Sequence, residues 1–242
     1  TYATPAFAGF KAYAQYSFDT DSKDDYDGAG LHGVEGKSSV DRYYAIGLTY
    51  ANGPLNLAAV VDQTNFSTTK WNGVDWGNPV DDALTVTVGG NYDFQVVKLY
   101  AGAQYFDNAD LNSIDNIFSK DFALSPAQTE RFQVKGYGLT IGADIPAAGG
   151  TFKVATSYLD GTIDKVNGWD MATAIGATFG EIDISRWNTS AGYLYSLSKR
   201  TSLYGVASYS YQTVKGQKDF NGYSLDVAPT VIEVAAGIVH KF

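Results

Sequence analysis

The sequence predicts an all-β protein, the wall of a transmembrane antiparallel up-and-down β-barrel, and three observations predict it. Apolar and polar residues alternate with period two over about ten stretches, the mark of strands that meet different solvents on their two faces. Short and long connections take turns between these stretches, as in membrane-spanning barrels with tight turns at one end and loops at the other. Hydrophobic residues make up 45% of the chain, yet its mean hydropathy is only -0.16. No run approaches the ~20 consecutive apolar residues of a spanning helix, whereas strands that alternate lipid-facing and water-facing positions average to such a polar value.

The segment Thr1-Tyr2-Ala3-Thr4-Pro5 reads as the end of a strand already under way, and Pro5 to Gly9 as the first short turn. Phe10, Ala12, Ala14, Tyr16 and Phe18 then form an apolar face, with Lys11, Tyr13, Gln15, Ser17 and Asp19 on the other. A polar connection from Thr20 to Ser39 leads to a strand from Asp41 to Tyr50 with Tyr44, Ile46, Leu48 and Tyr50 outward. Ala51-Asn52-Gly53-Pro54 is a turn by its residue types, and Leu55, Leu57, Ala59 and Val61 mark the return strand.

The cycle repeats. The connection Phe66 to Asp82 precedes a strand from Leu84 to Tyr92, with Leu84, Val86, Val88 and Tyr92 outward against Thr85, Thr87, Gly89 and Asn91. Asp93 to Val96 turns the chain into Val97 to Phe106. The connection from Asp107 to Arg131 mixes polar residues with Ile114, Ile117 and Phe118, a composition open to a short helix. Strands near Val134 to Ile145 and Thr151 to Leu159 flank the turn Pro146-Ala147-Ala148-Gly149-Gly150, and Asp160 to Ser185 is read as the next connection.

The clearest pattern lies in Trp187 to Tyr211. Thr189, Ala191, Tyr193, Tyr195 and Leu197 share one face, and Asn188, Ser190, Gly192 and Ser196 share the other. After Ser198-Lys199-Arg200-Thr201 the alternation resumes with Leu203, Gly205, Ala207, Tyr209 and Tyr211, so an antiparallel hairpin follows. The connection Val214 to Thr230 precedes a last strand that ends Gly237-Ile238-Val239-His240-Lys241-Phe242. Hairpins and single strands together make ten full strands after the remnant at Thr1 to Thr4.

The hairpin LYSLSKRTSLYG, the Tyr2 to Gly9 segment and the ending on Phe242 resemble the trimeric general porins of Gram-negative outer membranes, in their beta-proteobacterial and neisserial branch. The resemblance implies an intact barrel of about sixteen strands, of which residues 1–242 form the C-terminal part, with the N-terminal strands and the constriction loop missing. The start agrees: there is no initiating Met and no basic, apolar leader, so the chain is expected to be part of a longer protein. The resemblance further implies a water-filled channel in the cell outer membrane for passive diffusion of ions and small hydrophilic solutes, and a homotrimer. Its implied partners are outer-membrane lipid and lipopolysaccharide, and the barrel-insertion machinery acting on the C-terminal strand. No cofactor is implied.

Composition narrows the rest. A net charge of -9 disfavours nucleic acid, and the absence of Cys removes disulfides, cysteine zinc sites and thiol chemistry. The alternative to a channel is an outer-membrane barrel enzyme or an adhesin without an open pore. Catalysis needs His with carboxylate or Ser partners at one site, and the two histidines, His32 and His240, fall in a loop and at the chain end. Gly28-Ala29-Gly30-Leu31-His32-Gly33 has dinucleotide-loop spacing but lacks the strand before and helix after. The acidic run Asp19 to Asp27 fails the EF-hand pattern at Gly28 and reads as a solvated loop.

The alternation makes Lys11, Asp19, Asp62, Lys98, Asp144, Lys153, Glu233 and Lys241 the charged candidates for lining the lumen. Several of the lysines lie near short turns, while the long loops are acidic, which would create an internal field for permeating ions. The plainer reading is that wet walls tolerate any charge. Tyr16, Tyr44, Tyr50, Tyr92, Tyr193, Tyr195, Tyr209 and Phe242 fall outward near strand ends, where aromatic girdles meet the membrane surfaces.

Overall fold

The computed structural model describes residues 1–18, 41–66, 70–71, 74–75, 81–110, 132–166, 169–170, 181–216 and 226–241. They form β1 (Tyr2–Ala3), β2 (Phe10–Ser17), β3 (Arg42–Asn52), β4 (Leu55–Asn65), β5 (Lys70–Trp71), β6 (Val74–Asp75), β7 (Ala83–Asp93), β8 (Lys98–Asp110), β9 (Phe132–Ala147), β10 (Gly150–Val166), β11 (Trp169–Asp170), β12 (Ile182–Ser196), β13 (Thr201–Gly216), β14 (Asp226–Val227) and β15 (Thr230–His240). Ten of these are long, the number the alternation requires, and β1 is the expected remnant. Each long strand pairs antiparallel with its neighbour in the chain, from β1 through β13 to β15, and the sheet is open at β1 and β15. The small strands β5 and β6 pair with each other within the expected Phe66 to Asp82 connection.

Turn chemistry sets the hairpin registers. Ala148 and Gly149 join β9 to β10 with φ of 50° and 79°, a two-residue turn of the mirror-image kind whose twist suits a hairpin. The turn is therefore shorter than the Pro146 to Gly150 expected from composition, because Pro146 and Ala147 still pair across the hairpin. At the β12–β13 turn the Ser198 hydroxyl accepts from the backbone N–H groups of Arg200 and Thr201, at 3.2 and 3.1 Å.

The register separates two faces cleanly. One unbroken row runs Ala12, Leu48, Ala59, Val88, Ala103, Leu139, Tyr158, Trp187, Tyr211. The neighbouring row runs Lys11, Thr49, Ala58, Gly89, Gly102, Thr140, Ser157, Asn188, Ser210. The apolar face is exposed in the single chain: Ile46 is 71% accessible and Ile141 60%. Exposure of so much apolar surface marks contact with something other than water.

Aromatic residues bound this apolar face at two levels. Phe10 and Tyr16, Tyr44 and Tyr50, Phe152 and Tyr158, and Trp187 and Tyr193 each stand six residues apart, roughly 20 Å along a strand. The level drifts across the sheet. Following the register from Tyr50 through Leu57, Gly90, Ala101, Ile141 and Thr156 arrives at Thr189, four residues short of Tyr193. Strands that tilt against a common axis produce this stagger.

Beyond the second aromatic level the polarity inverts, and here the strands are longer than the alternation indicated. β10 continues past Leu159 to Val166, and β12 begins at Ile182 rather than Trp187. On the side that was polar below, Phe106, Gly136, Gly161, Ile184 and Val214 lie in one row, and Val134, Ile163 and Ile182 in the next. These apolar side chains are the buried ones: Val134 and Ile163 are 0% accessible and Val214 1%. Lys135, Thr162, Asp183 and Lys215 take the opposite side. β8 also runs past Phe106 to Asp110 through an irregularity in its pairing with β9, with Asn108 at φ 55°, an extra residue of the bulge type. The helix considered within Asp107 to Arg131 falls on 111–131, outside the described residues.

Candidate channel wall

The polar face of the sheet is the candidate functional surface, and its charged groups gather near the short turns. Asp93, Lys98, Asp144 and Lys153 are successive register partners across β7, β8, β9 and β10. Lys153 Nζ lies 2.5 Å from Asp144 Oδ2. The Tyr100 hydroxyl donates to the same oxygen at 3.0 Å. Lys98 directs its ammonium over the Tyr100 ring at 5.4 Å from the centroid, within the reach of about 6 Å of a cation–π contact. The rim is therefore mixed in sign rather than cationic.

Further along, Lys11 Nζ sits 5.0 Å over the ring of Tyr13 and has no acidic partner among the described residues. Asp62 is half-buried between Ala45 and Thr85 on the same face. Glu233 accepts from the Ser208 hydroxyl at 3.3 Å. Lys241 follows the last strand, its backbone N–H donating to Arg200 O at 2.9 Å. Six of the eight charged candidates thus share the polar face of strands, and Lys241 lies beside the β12–β13 turn. Asp19 lies outside the described residues.

Amides and hydroxyls fill the space between these charges. Asn56 donates to Asn91 at 3.2 Å, Gln104 to Thr87 at 3.1 Å and Asn188 to Ser210 at 2.6 Å. Tyr13 takes this surface as the alternation requires, while Asp93, Tyr100 and Arg186 also belong to it and were missed in the sequence. Counting by twos from Lys98 and Asn188 would have found Tyr100 and Arg186. The Oε1 atom of Gln212, a residue 3% accessible, is buried without a hydrogen-bond partner.

The aromatic candidates among the described residues occupy the other face. Tyr50 packs on Phe10 with ring centroids 4.5 Å apart, Tyr92 on Phe94 at 4.5 Å and Tyr16 on Phe18 at 4.6 Å. Tyr193 stacks on Tyr195 at 6.5 Å, and its hydroxyl donates to Ala147 O and Ala148 O, both at 2.9 Å. That bond ties the aromatic level to the β9–β10 turn. Tyr44 and Tyr209 are 40% and 48% accessible. Phe242 lies outside the described residues.

An antiparallel sheet with one apolar, tyrosine-bounded face and one hydrated, charged face is the wall of a membrane barrel, and comparison identifies which kind. A model of the Gram-negative porin family matches residues 1–217. The chain belongs to that family. An outer membrane porin protein of Bordetella pertussis is 31% identical over 244 residues, a match covering all of this chain and 56% of that protein. Outer membrane porin protein 32 of Delftia acidovorans is 26% identical over 206 residues, 85% of this chain and 43% of the relative. Among solved structures, an anion-selective porin from Comamonas acidovorans matches with a TM-score of 0.59 and 24% identity, covering 100% of this chain and 58% of its own. At that identity the likeness concerns the fold. This porin chain spans about half the length of the relatives it matches.

Barrels of this family carry short turns at one end and longer loops at the other, and the inverted region of this sheet lies at the end away from the short turns.

Proposed function

We propose that the protein forms a water-filled channel in the outer membrane of a Gram-negative bacterium, through which ions and small hydrophilic solutes diffuse passively. The observation that carries this reading is the register itself: one side of every long strand presents hydroxyls, amides, glycines and charges while the other presents an exposed apolar belt. Such a wall separates water from lipid. Residues 1–242 act as part of a single barrel, and membership in the porin family supports a channel rather than an enzyme.

Selectivity by this wall is weak. On the lumen face the cationic Lys11, Lys98, Lys153 and Arg186 stand against the anionic Asp62, Asp93, Asp144 and Glu233, so the fixed charges nearly cancel. Lys11, held over a ring rather than against a carboxylate, leaves a slight bias toward anions. The working form is a homotrimer surrounded by outer-membrane lipid and lipopolysaccharide, and the last strand is the element read by the insertion machinery.

Single-channel recording of the full-length protein in a planar bilayer tests the reading. Ohmic steps arriving in groups of three, with a small reversal potential under a salt gradient, are expected. Absence of conductance from folded, inserted protein would overturn it and bring the enzyme or adhesin reading forward.

A further inference from the structure

On the polar face a recess of about 410 Å³ lies over β9, β10, β12 and β13, at the lower end of the roughly 300–1,000 Å³ of small-molecule sites. Its floor is made of side chains that hardly rise above the sheet. Gly142, Ala155 and Ser190 are successive register partners, and Lys153, Gly192 and Val206 form the row beside them. Tyr100 stands at one side, next to Gly142 in the register, and Tyr204 at the other. The Tyr204 ring is folded over Gly237, where a Cβ would lie 2.6 Å from its hydroxyl oxygen. It therefore leans toward β15 and leaves the floor open.

Three polar groups border that floor with bonding capacity to spare. The bonds to Asp144 from Lys153 Nζ and from the Tyr100 hydroxyl both go to Oδ2, and its Oδ1 has no partner among the described residues. Lys153 Nζ has three protons, one of which points to Asp144. The Ser190 hydroxyl has no partner among the described residues either. Lys153 and Asp144 cancel each other's charge over a short distance, so the recess holds little net field for an ion. Between the polar groups the floor is apolar, with Ala155 and Val206 exposed. A matching solute has no net charge, a flat face of C–H groups for the floor and hydroxyls on its edge for the carboxylate, the ammonium and the serine. A pyranose ring has that layout. A zwitterionic amino acid would first have to part Lys153 from Asp144, and an open-chain polyol loses on binding the rotational freedom that a ring lacks already.

We propose that this recess is a binding subsite for a neutral pyranose sugar of monosaccharide size. Its C–H face rests on Gly142, Ala155 and Val206, and neighbouring hydroxyls reach Asp144 Oδ1 and Lys153 Nζ. The assignment rests on the channel reading above and narrows the solute class that the channel serves. Bonds to an ionised partner are stronger than neutral ones, which gives the edge of the sugar its hold. A site on a diffusion path must also release what it binds. One wall with two or three such bonds supports a dissociation constant of about millimolar, weak enough for passage.

Unitary conductance of the full-length protein in a planar bilayer, titrated with glucose and in parallel with sorbitol, is the test. Glucose is expected to lower the conductance saturably, with half the effect at about millimolar concentration. Sorbitol, an open-chain polyol of similar size, should give only the linear fall due to viscosity. Asp144→Ala should raise the glucose concentration for half-effect by about tenfold, the loss of a hydrogen bond to a charged group. Ala155→Leu and Ser190→Leu, which fill the floor from two adjacent strands, should remove the saturable part. Conductance without sugar reads the channel separately. Its absence from folded, inserted protein would defeat the channel reading itself, whereas conductance with no saturable response to glucose would overturn the subsite alone. Saturation by sorbitol at the same concentration, or a glucose response unchanged in Asp144→Ala or in both floor-filling variants, would overturn it equally.

Discussion

Lys153 and Asp144 meet across the β9–β10 hairpin with 2.5 Å between Nζ and Oδ2, and the pair cancels most of the field that either charge would cast from the polar face of the sheet. Both side chains are partly open to solvent, at 48% and 23%, so the contact adds only about 0.5 kcal/mol to stability. In the channel proposed above, its effect falls on permeation. Lys153→Met should move the reversal potential toward cations and Asp144→Asn toward anions, while the double variant returns near wild type. A double variant displaced well away from wild type would show that the two charges act at separate points of the ion path.

Lys11 has only the Tyr13 ring beside its ammonium. Lys11→Gln alone should therefore shift the reversal potential toward cations, with no second substitution at a neighbouring acid needed to reveal it. An unchanged potential would place Lys11 away from the narrowest part of the lumen.

The inverted region makes a prediction about faces. Val214 is 1% accessible, and Val214→Asp should cost about 3 kcal/mol or more by burying an unpaired carboxylate. Thr213→Asp, one residue away on the other side, should stay within about 0.5 kcal/mol. Urea unfolding of the full-length protein in vesicles measures both, and equal costs would contradict the inversion.

Lysine scanning along β9 locates the membrane. Ile141→Lys, on the exposed apolar belt, should cost about 2–4 kcal/mol, whereas Lys135 already occupies the same side two strand levels beyond Leu139, ion-paired with Asp107 at 3.3 Å. A cost at Ile141 no larger than that of a surface change would place the belt outside the hydrocarbon.

Gln212 carries a buried Oε1 with no partner. Gln212→Met keeps the volume and removes the orphaned acceptor, and a gain of about 1 kcal/mol is expected in the same unfolding assay. A loss would mean that the amide is bonded in the membrane-inserted protein.

The sequence by itself determined the ten strands and the side their residues take, while the hairpin pairings followed once the turns were seen to be as tight as Ala148-Gly149. Period two is a local property of an extended backbone, and a two-residue turn such as Ala148-Gly149 fixes its hairpin's register, so that Asp144 must face Lys153. The same locality explains what was missed. The outward apolar alternation ends at Leu159 and resumes at Trp187, which marks the strands too short, although Ile163, Ile182 and Ile184 keep the period with its sign reversed.

Only the tertiary structure decided the pairings that cross long connections. Lys98 meets Asp144 between β8 and β9, strands whose register shifts at Phe106 to Ala109 and is set by packing rather than by a tight turn. The alignment of Asp93 and Lys98 with Asp144 and Lys153, and the drift of the aromatic levels, depend on such pairings. A loop of many residues places little restraint on how its two strands slide, so the choice passes to the side chains that meet across them.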